Sequence, residues 1–142
     1  MTIKYLHTMV RVNSIEESLH FYCTLLGLQE VRRKEYETGK FTLIFLAPPG
    51  QTDAMLELTY NWDSTEEYSE GRNFGLLAYE VEDIYEITQK LVDSGITINR
   101  PPRDGRMAFI KSPDGISIEI LQEDGELPIQ EPWKTMQNSG SW

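Results

Sequence analysis

Two strand-like stretches of this chain carry a glutamate where an apolar side chain would be expected. Leu56-Glu57-Leu58 and Ile118-Glu119-Ile120 each set a carboxylate between aliphatic neighbours. Burying an unpaired carboxylate is expensive, so such groups are neutralised, paired or bound to a metal. For one such glutamate, a structural ion pair or an exposed face is the simpler reading; recurrence in both halves favours ligation. Ahead of the first glutamate, the stretch from His7 to Ile15 aligns at a constant offset with Leu76 to Ile84, Val12 on Val81 and Ile15 on Ile84. The counterpart of His7 is therefore Leu76. One imidazole and two carboxylates at repeated positions have the donor types of a divalent metal site. That site lacks one ligand.

The elements that must position these residues also repeat. Tyr5 to Val12 reads as a strand, followed by a helix with a Ser14-x-x-Glu17 capping box and an apolar stripe of Ile15, Leu19, Tyr22 and Leu26 ending at Gly27. Leu28 to Glu37, Phe41 to Ala47 and Ala54 to Trp62 are strands, punctuated by Gly39 and Pro48-Pro49-Gly50. The order then recurs. Phe74 to Val81 is a strand, Asp83 and Glu86 cap a helix with the stripe Ile84, Ile87, Leu91 and Val92, and Gly95 ends it. Thr97 to Asn99, Arg106 to Lys111 and Ile116 to Gln122 complete the set around the turn Pro113-Asp114-Gly115. This predicts an α+β domain over residues 1–142, with two tandem βαβββ repeats forming a curved mixed sheet around a cleft. Repeat one spans 5–62, a linker 63–72, repeat two 73–123 and a C-terminal tail 124–142. Strand alternation sets Tyr60 and Trp62 beside the cleft, either as packing or as substrate contacts. Trp133 and Trp142 are costly to leave in water, so the tail is expected to dock on the body or on a partner chain.

Bulk properties narrow the field. The 142 residues carry a net charge of −10, which repels nucleic acid and anionic membrane. No apolar run approaches the ~20 residues of a membrane span, and the N-terminus lacks the apolar run of a signal peptide, so a cytoplasmic location is expected. Cys23 is the only cysteine, which excludes an intrachain disulfide and a multi-thiolate zinc site. With only two histidines, His7 and His20, any metal site must lean on carboxylates. His20 falls within the first helix and reads as structural.

Several motifs together resemble the glyoxalase I (lactoylglutathione lyase) family of the vicinal oxygen chelate superfamily. They are Leu6-His7-Thr8-Met9-Val10-Arg11-Val12, Phe21-Tyr22 with Leu26-Gly27, Glu57-Leu58-Thr59-Tyr60-Asn61-Trp62, Phe74-Gly75, and Ser112-Pro113-Asp114-Gly115 leading to Ile118-Glu119. The resemblance covers roughly residues 5 to 122. It implies a divalent nickel, cobalt or zinc ion held by two histidines and two glutamates, in a homodimer whose interfacial sites draw ligands from both chains. Carried over by position, the ligands are His7, Glu57 and Glu119, with the second histidine replaced by Leu76. The implied reaction converts the hemithioacetal of glutathione and a 2-oxoaldehyde such as methylglyoxal into S-lactoylglutathione. Glu119 is the implied base, with Glu57 a ligand and second base. Arg11, Asn61, Arg72 and Arg100 match positions that hold the carboxylates of glutathione, a task suited to guanidinium forks. Arg103 and Arg106 flank the same loop.

Leu76 divides the function classes. One imidazole and two carboxylates shift preference toward harder ions such as Mn²⁺ or Mg²⁺. An enzyme of the glyoxalase I type, possessing base, remaining ligands and arginines, is the first reading. A metal-poor, non-catalytic protein that binds glutathione or a small hydrophobic ligand is the second.

Overall fold

The computed structural model describes residues 2–69, 71 and 73–142, so the candidate Arg72 lies outside the described residues. The chain divides into two compact units, Met1–Ser69 and Glu70–Trp142.

Unit one contains β1 (His7–Arg11), α1 (Ile15–Leu19) continuing into a π-helical stretch (His20–Leu25), β2 (Gln29–Tyr36), β3 (Phe41–Ala47) and β4 (Met55–Asn61). Its four-stranded sheet runs β1-β4-β3-β2. β1 and β4 are parallel, and the remaining pairs are antiparallel. The Ser14 hydroxyl caps α1 by accepting from the Glu17 N–H at 3.1 Å. Beyond Leu19 the hydrogen bonds lengthen to five residues, as from the Leu26 N–H to the Phe21 carbonyl at 3.1 Å. This wider turn re-phases the apolar stripe. Phe21, Tyr22 and Leu25 are buried instead of Leu26. Val10, Ile44, Leu46, Leu56 and Leu58 share one face of the sheet by register, and all are buried as well. Each such side chain contributes about 1.5–3 kcal/mol on leaving water.

Unit two contains β5 (Leu76–Val81), α2 (Ile84–Asp93), β6 (Met107–Lys111) and β7 (Ser117–Gln122), in a three-stranded sheet of order β5-β7-β6. β5 and β7 are parallel, while β6 and β7 are antiparallel. The strand expected at Thr97–Asn99 is reduced to one antiparallel bridge between Arg100 and Phe109. Pro101 and Pro102 follow at once and offer no N–H to continue a ladder. On α2 the buried residues are Ile84, Tyr85, Thr88 and Leu91, and Val92 is exposed. The Gln122 side chain ties α2 to β7, accepting from the Ile84 N–H at 2.8 Å and donating to the Glu82 carbonyl at 2.7 Å.

The segment after Gly125 docks on unit two. Trp133, in a short 3₁₀ turn (Trp133–Thr135), is 2% exposed. The Tyr85 hydroxyl donates to the Pro128 carbonyl at 2.7 Å, and Asn99 pairs with Ser139 through a backbone and a side-chain bond, each 2.9 Å. Gly105, at φ 72°, lets the Leu127 backbone approach so closely that a Cβ would collide with its carbonyl oxygen. Across the described residues, no helix is long and apolar enough to cross a membrane.

Gly105→Ala should therefore destabilise the chain by about 1–3 kcal/mol, through the strained φ and the displaced tail. Urea unfolding, together with protease sensitivity of the segment after Gly125, measures both effects; wild-type values for both would mean that the tail does not need this close approach.

Candidate active site

Strand register gathers four of the singled-out side chains on one face of unit one. Met9 pairs with Glu57 and Arg11 with Thr59, while Phe45 pairs with Glu57 and Phe41 with Asn61. Directly opposed residues share a face, and alternate residues return to it. His7, Arg11, Glu57 and Asn61 thus lie on the face opposite Val10, Leu56 and Leu58. Tyr60 and Trp62, expected beside the cleft, fall on the other face. There the Trp62 indole donates to the buried Thr42 hydroxyl at 2.8 Å, which is a packing role.

His7 Nε2 lies 3.1 Å from Glu57 Oε2, and Glu57 is only 8% exposed. The His7 ring stands edge-on to Phe45, with centroids 5.3 Å apart, which orients the imidazole. A protonated imidazole makes this contact an ion pair. With the imidazole neutral, the same spacing suits adjacent donors on one divalent ion, whose bonds to nitrogen and oxygen are about 2.0–2.2 Å. The pair therefore fits one edge of a metal site. Among the described residues, no group of three or more His, Cys, Asp or Glu side chains is placed to hold an ion.

Unit two repeats the row of residues around Glu57. In unit one the register runs Arg32, Phe45, Glu57, Met9 across four strands. In unit two it runs Arg100, Phe109, Glu119, Ala78. Leu76 precedes Ala78 by two residues, as His7 precedes Met9, so leucine stands in the histidine's place. It is 39% exposed, on the same face as the half-buried Glu119.

Arg32 was missed by the sequence reading. Its guanidinium lies over the Phe45 ring, 4.0 Å from the centroid. Its sequence counterpart is hidden because the loops joining these strands differ in length between the units. The signal that could have found it is the shared cross-strand row, not a constant offset.

The arginines keep different company. Arg100 donates to the Met107 carbonyl at 2.5 Å and to Asp104 at 3.3 Å. Burial alone would raise the Asp104 carboxyl, but the Arg106 and Met107 backbone N–H groups and Arg100 outweigh it and hold the carboxyl below its ordinary value. Arg103 is tied to the Met136 carbonyl and the Asn138 side chain, and Arg106 to the Gln122 carbonyl. Arg11 and Arg32 have no ion-pair partner among the described residues. Asn61 donates to the Tyr68 hydroxyl at 3.4 Å. The Cys23 thiol is pushed up by burial and then by Glu30, which suits a packing role rather than a nucleophile.

Residues 4–120 match the family model for the Glyoxalase/Bleomycin resistance protein/Dioxygenase superfamily. The chain belongs to this superfamily. Among its glyoxalase relatives, a probable lactoylglutathione lyase of Synechocystis is 42% identical over 123 residues, covering 82% of this chain and 93% of the relative. A lactoylglutathione lyase of Neisseria meningitidis is 42% identical over 127 residues, covering 85% and 91%. The trypanothione-dependent glyoxalase I of Leishmania major superposes with a TM-score of 0.78 at 35% identity, covering 86% of this chain and 88% of that one.

The bonds around Asp104 set a pH dependence. Its folded-state value lies below the unfolded one, so its stabilisation is complete above the ordinary carboxylate range and is lost as pH falls through the lowered value. Thermal unfolding followed from about pH 5 downward should show a steeper loss for wild type than for Asp104→Asn. Equal slopes would remove the ionised carboxylate from the account of how Arg100 is held.

Proposed function

We propose that this chain is a lactoylglutathione lyase, isomerising the hemithioacetal of glutathione and a 2-oxoaldehyde such as methylglyoxal to S-lactoylglutathione. The carrying observation is the repeated Arg-Phe-Glu row with His7 set against Glu57. The lactoylglutathione lyases among its relatives support the same activity. In this reading the protein is a homodimer in which His7, Glu57 and Glu119 are brought together as ligands from both chains. A cytoplasmic site of action accompanies it.

A divalent ion held by His7, Glu57 and Glu119 would supply Lewis-acid polarisation of the two adjacent substrate oxygens. Nickel, cobalt or zinc fits the family, and manganese or magnesium fits a set with one imidazole. Glu119 removes the proton from the hemithioacetal carbon, leaving an ene-diolate. The proton returns to the neighbouring carbon, the former carbonyl becomes the hydroxyl, and the thiol-bearing carbon becomes the thioester carbonyl. Glu57 takes a second-base role in this reading, with His7 orienting it through their 3.1 Å contact. Arg11 and Asn61, on the same face as Glu57, hold a carboxylate end of glutathione. Arg72 and Arg100 complete the anion set, and Arg100 must exchange its Asp104 contact to do so.

Leu76 favours a second reading, a metal-poor binding protein, because it presents an apolar exposed side chain at the ligand position. Metal analysis of purified protein with a hemithioacetal isomerisation assay separates the two. Turnover with bound divalent metal supports the lyase; stoichiometric metal without turnover counts against it.

Glu119→Gln keeps the shape and removes the base, so kcat should fall by about 10²–10⁴-fold. Unchanged turnover would assign the proton transfer elsewhere. Leu76→His should raise metal affinity by more than the roughly 10–100-fold attached to a ligand's supporting partner, measured by competition with a chelator. No gain would mean that the site has diverged beyond this residue.

A further inference from the structure

The open face of unit one is laid out in rows across its strands. One row sets Arg32, Phe45, Glu57 and Met9 side by side. The next on that face holds Lys34, Leu43, Thr59 and Arg11, and the third Tyr36, Phe41 and Asn61. Successive rows stand two residues apart, roughly 7 Å along the strands. Arg11 and Asn61, which hold a carboxylate end of glutathione in the lyase reading, therefore lie one and two rows beyond Glu57. A ligand anchored there lays its reacting half in the row of Arg32.

In that row the Arg32 guanidinium sits 4.0 Å from the centroid of the Phe45 ring. The same ring meets the His7 imidazole edge-on, with centroids 5.3 Å apart, and Glu57 is its register partner. A single ring thus spaces the guanidinium from the His7–Glu57 contact. Arg32 is exposed and has no ion-pair partner among the described residues, because Glu30 on the same strand is taken by Arg33 at 2.7 Å. Its charge is uncommitted. Unit two shows the alternative. There the counterpart Arg100 donates to Asp104 and to the Met107 carbonyl, and the Trp142 indole covers Phe109 instead.

We infer that Arg32 is a further catalytic residue, whose guanidinium contacts the substrate oxygens on which negative charge collects as the carbon-bound proton leaves. This rests on the lyase reading and adds a group that its ligands and base leave out. As the base takes the proton, the C–H electron pair becomes the carbon–carbon double bond and the carbonyl pair moves onto its oxygen. The hemithioacetal has no such charge, so a cation in this row stabilises the transition state more than the bound substrate. Arginine stays charged at every working pH, and its planar fork matches two adjacent oxygens. Phe45 is the positioning residue, holding the guanidinium through its ring face.

The test compares two glutathione conjugates by calorimetric titration of the metal-loaded full chain, which reads binding independently of turnover. An S-(N-hydroxy-N-methylcarbamoyl) conjugate copies the two adjacent oxygens of the planar ene-diolate, and S-methylglutathione lacks them. Arg32→Ala should weaken the first by about tenfold, less than the 10²–10³-fold of an enclosed oxyanion donor because Arg32 is exposed. S-methylglutathione should bind as it does to wild type, which also shows that the variant is folded. Arg32→Lys keeps the charge without the fork and should recover part of the loss. In turnover, kcat should fall with KM unchanged. Unchanged affinity for the ene-diolate mimic in Arg32→Ala, or an equal loss for both conjugates, overturns the inference while leaving the lyase reading in place. Binding of neither conjugate by wild type removes the glutathione reading itself, and this inference with it.

Discussion

Strand register is the constraint on which the rest of the molecule depends. In a sheet with one face under a helix, successive residues alternate between core and open face, and a slip of one residue exchanges them all. Here the register sets Leu56 and Leu58 into the core and turns Glu57 to the open side, where His7 meets it at 3.1 Å. The same alternation buries Ile118 and Ile120 and presents Glu119. A slipped β4 or β7 would drive a carboxylate among aliphatic side chains without a partner. The buried residues on either side of each glutamate therefore act as its positioning device.

Once the registers are fixed, divergence between the units becomes readable residue by residue. Arginine, phenylalanine and glutamate recur in the same cross-strand row, but their surroundings do not. Phe45 is covered by a cation and approached by an imidazole. Phe109 is covered by an indole, while Arg100 turns away to Asp104 and the Met107 carbonyl. Together with Leu76 for histidine, these changes make the open face of unit two more apolar than that of unit one. They concentrate its chemistry in the single carboxylate of Glu119.

The repeat, the helix caps and the paired glutamates were legible from sequence because each is a local pattern. Ser14 and Asp83 cap their helices where the spacing places them. His7, Glu57, Arg11 and Asn61 share a face because periodicity of two is a property of the strand alone. Other features required the folded chain. The π-helical turn shifts burial from Leu26 to Leu25, a change in winding that a 3.6-residue pattern does not encode. The strand expected at Thr97–Asn99 appears as one bridge at Arg100, beyond which Pro101 and Pro102 offer no N–H to extend the ladder. Tyr60 and Trp62, expected beside the cleft or in packing, take the packing role, because β4 turns Glu57 and Asn61 to one face and Tyr60 to the other, with Thr42.

By itself, the sequence determined the α+β repeat, its family and the identities of the chemical groups, including the leucine that stands where the repeat has His7. These follow from residue type and short-range spacing, which survive without coordinates. Tertiary structure alone decided the company those groups keep: His7 against Glu57, Arg32 over Phe45, Arg100 bound to Asp104, and Trp142 brought onto Phe109 by the docked tail. The reason is distance along the chain. Arg32 and Phe45, or Phe109 and Trp142, become neighbours only through strand pairing and tail docking, whose geometry depends on loop lengths and packing rather than on local pattern.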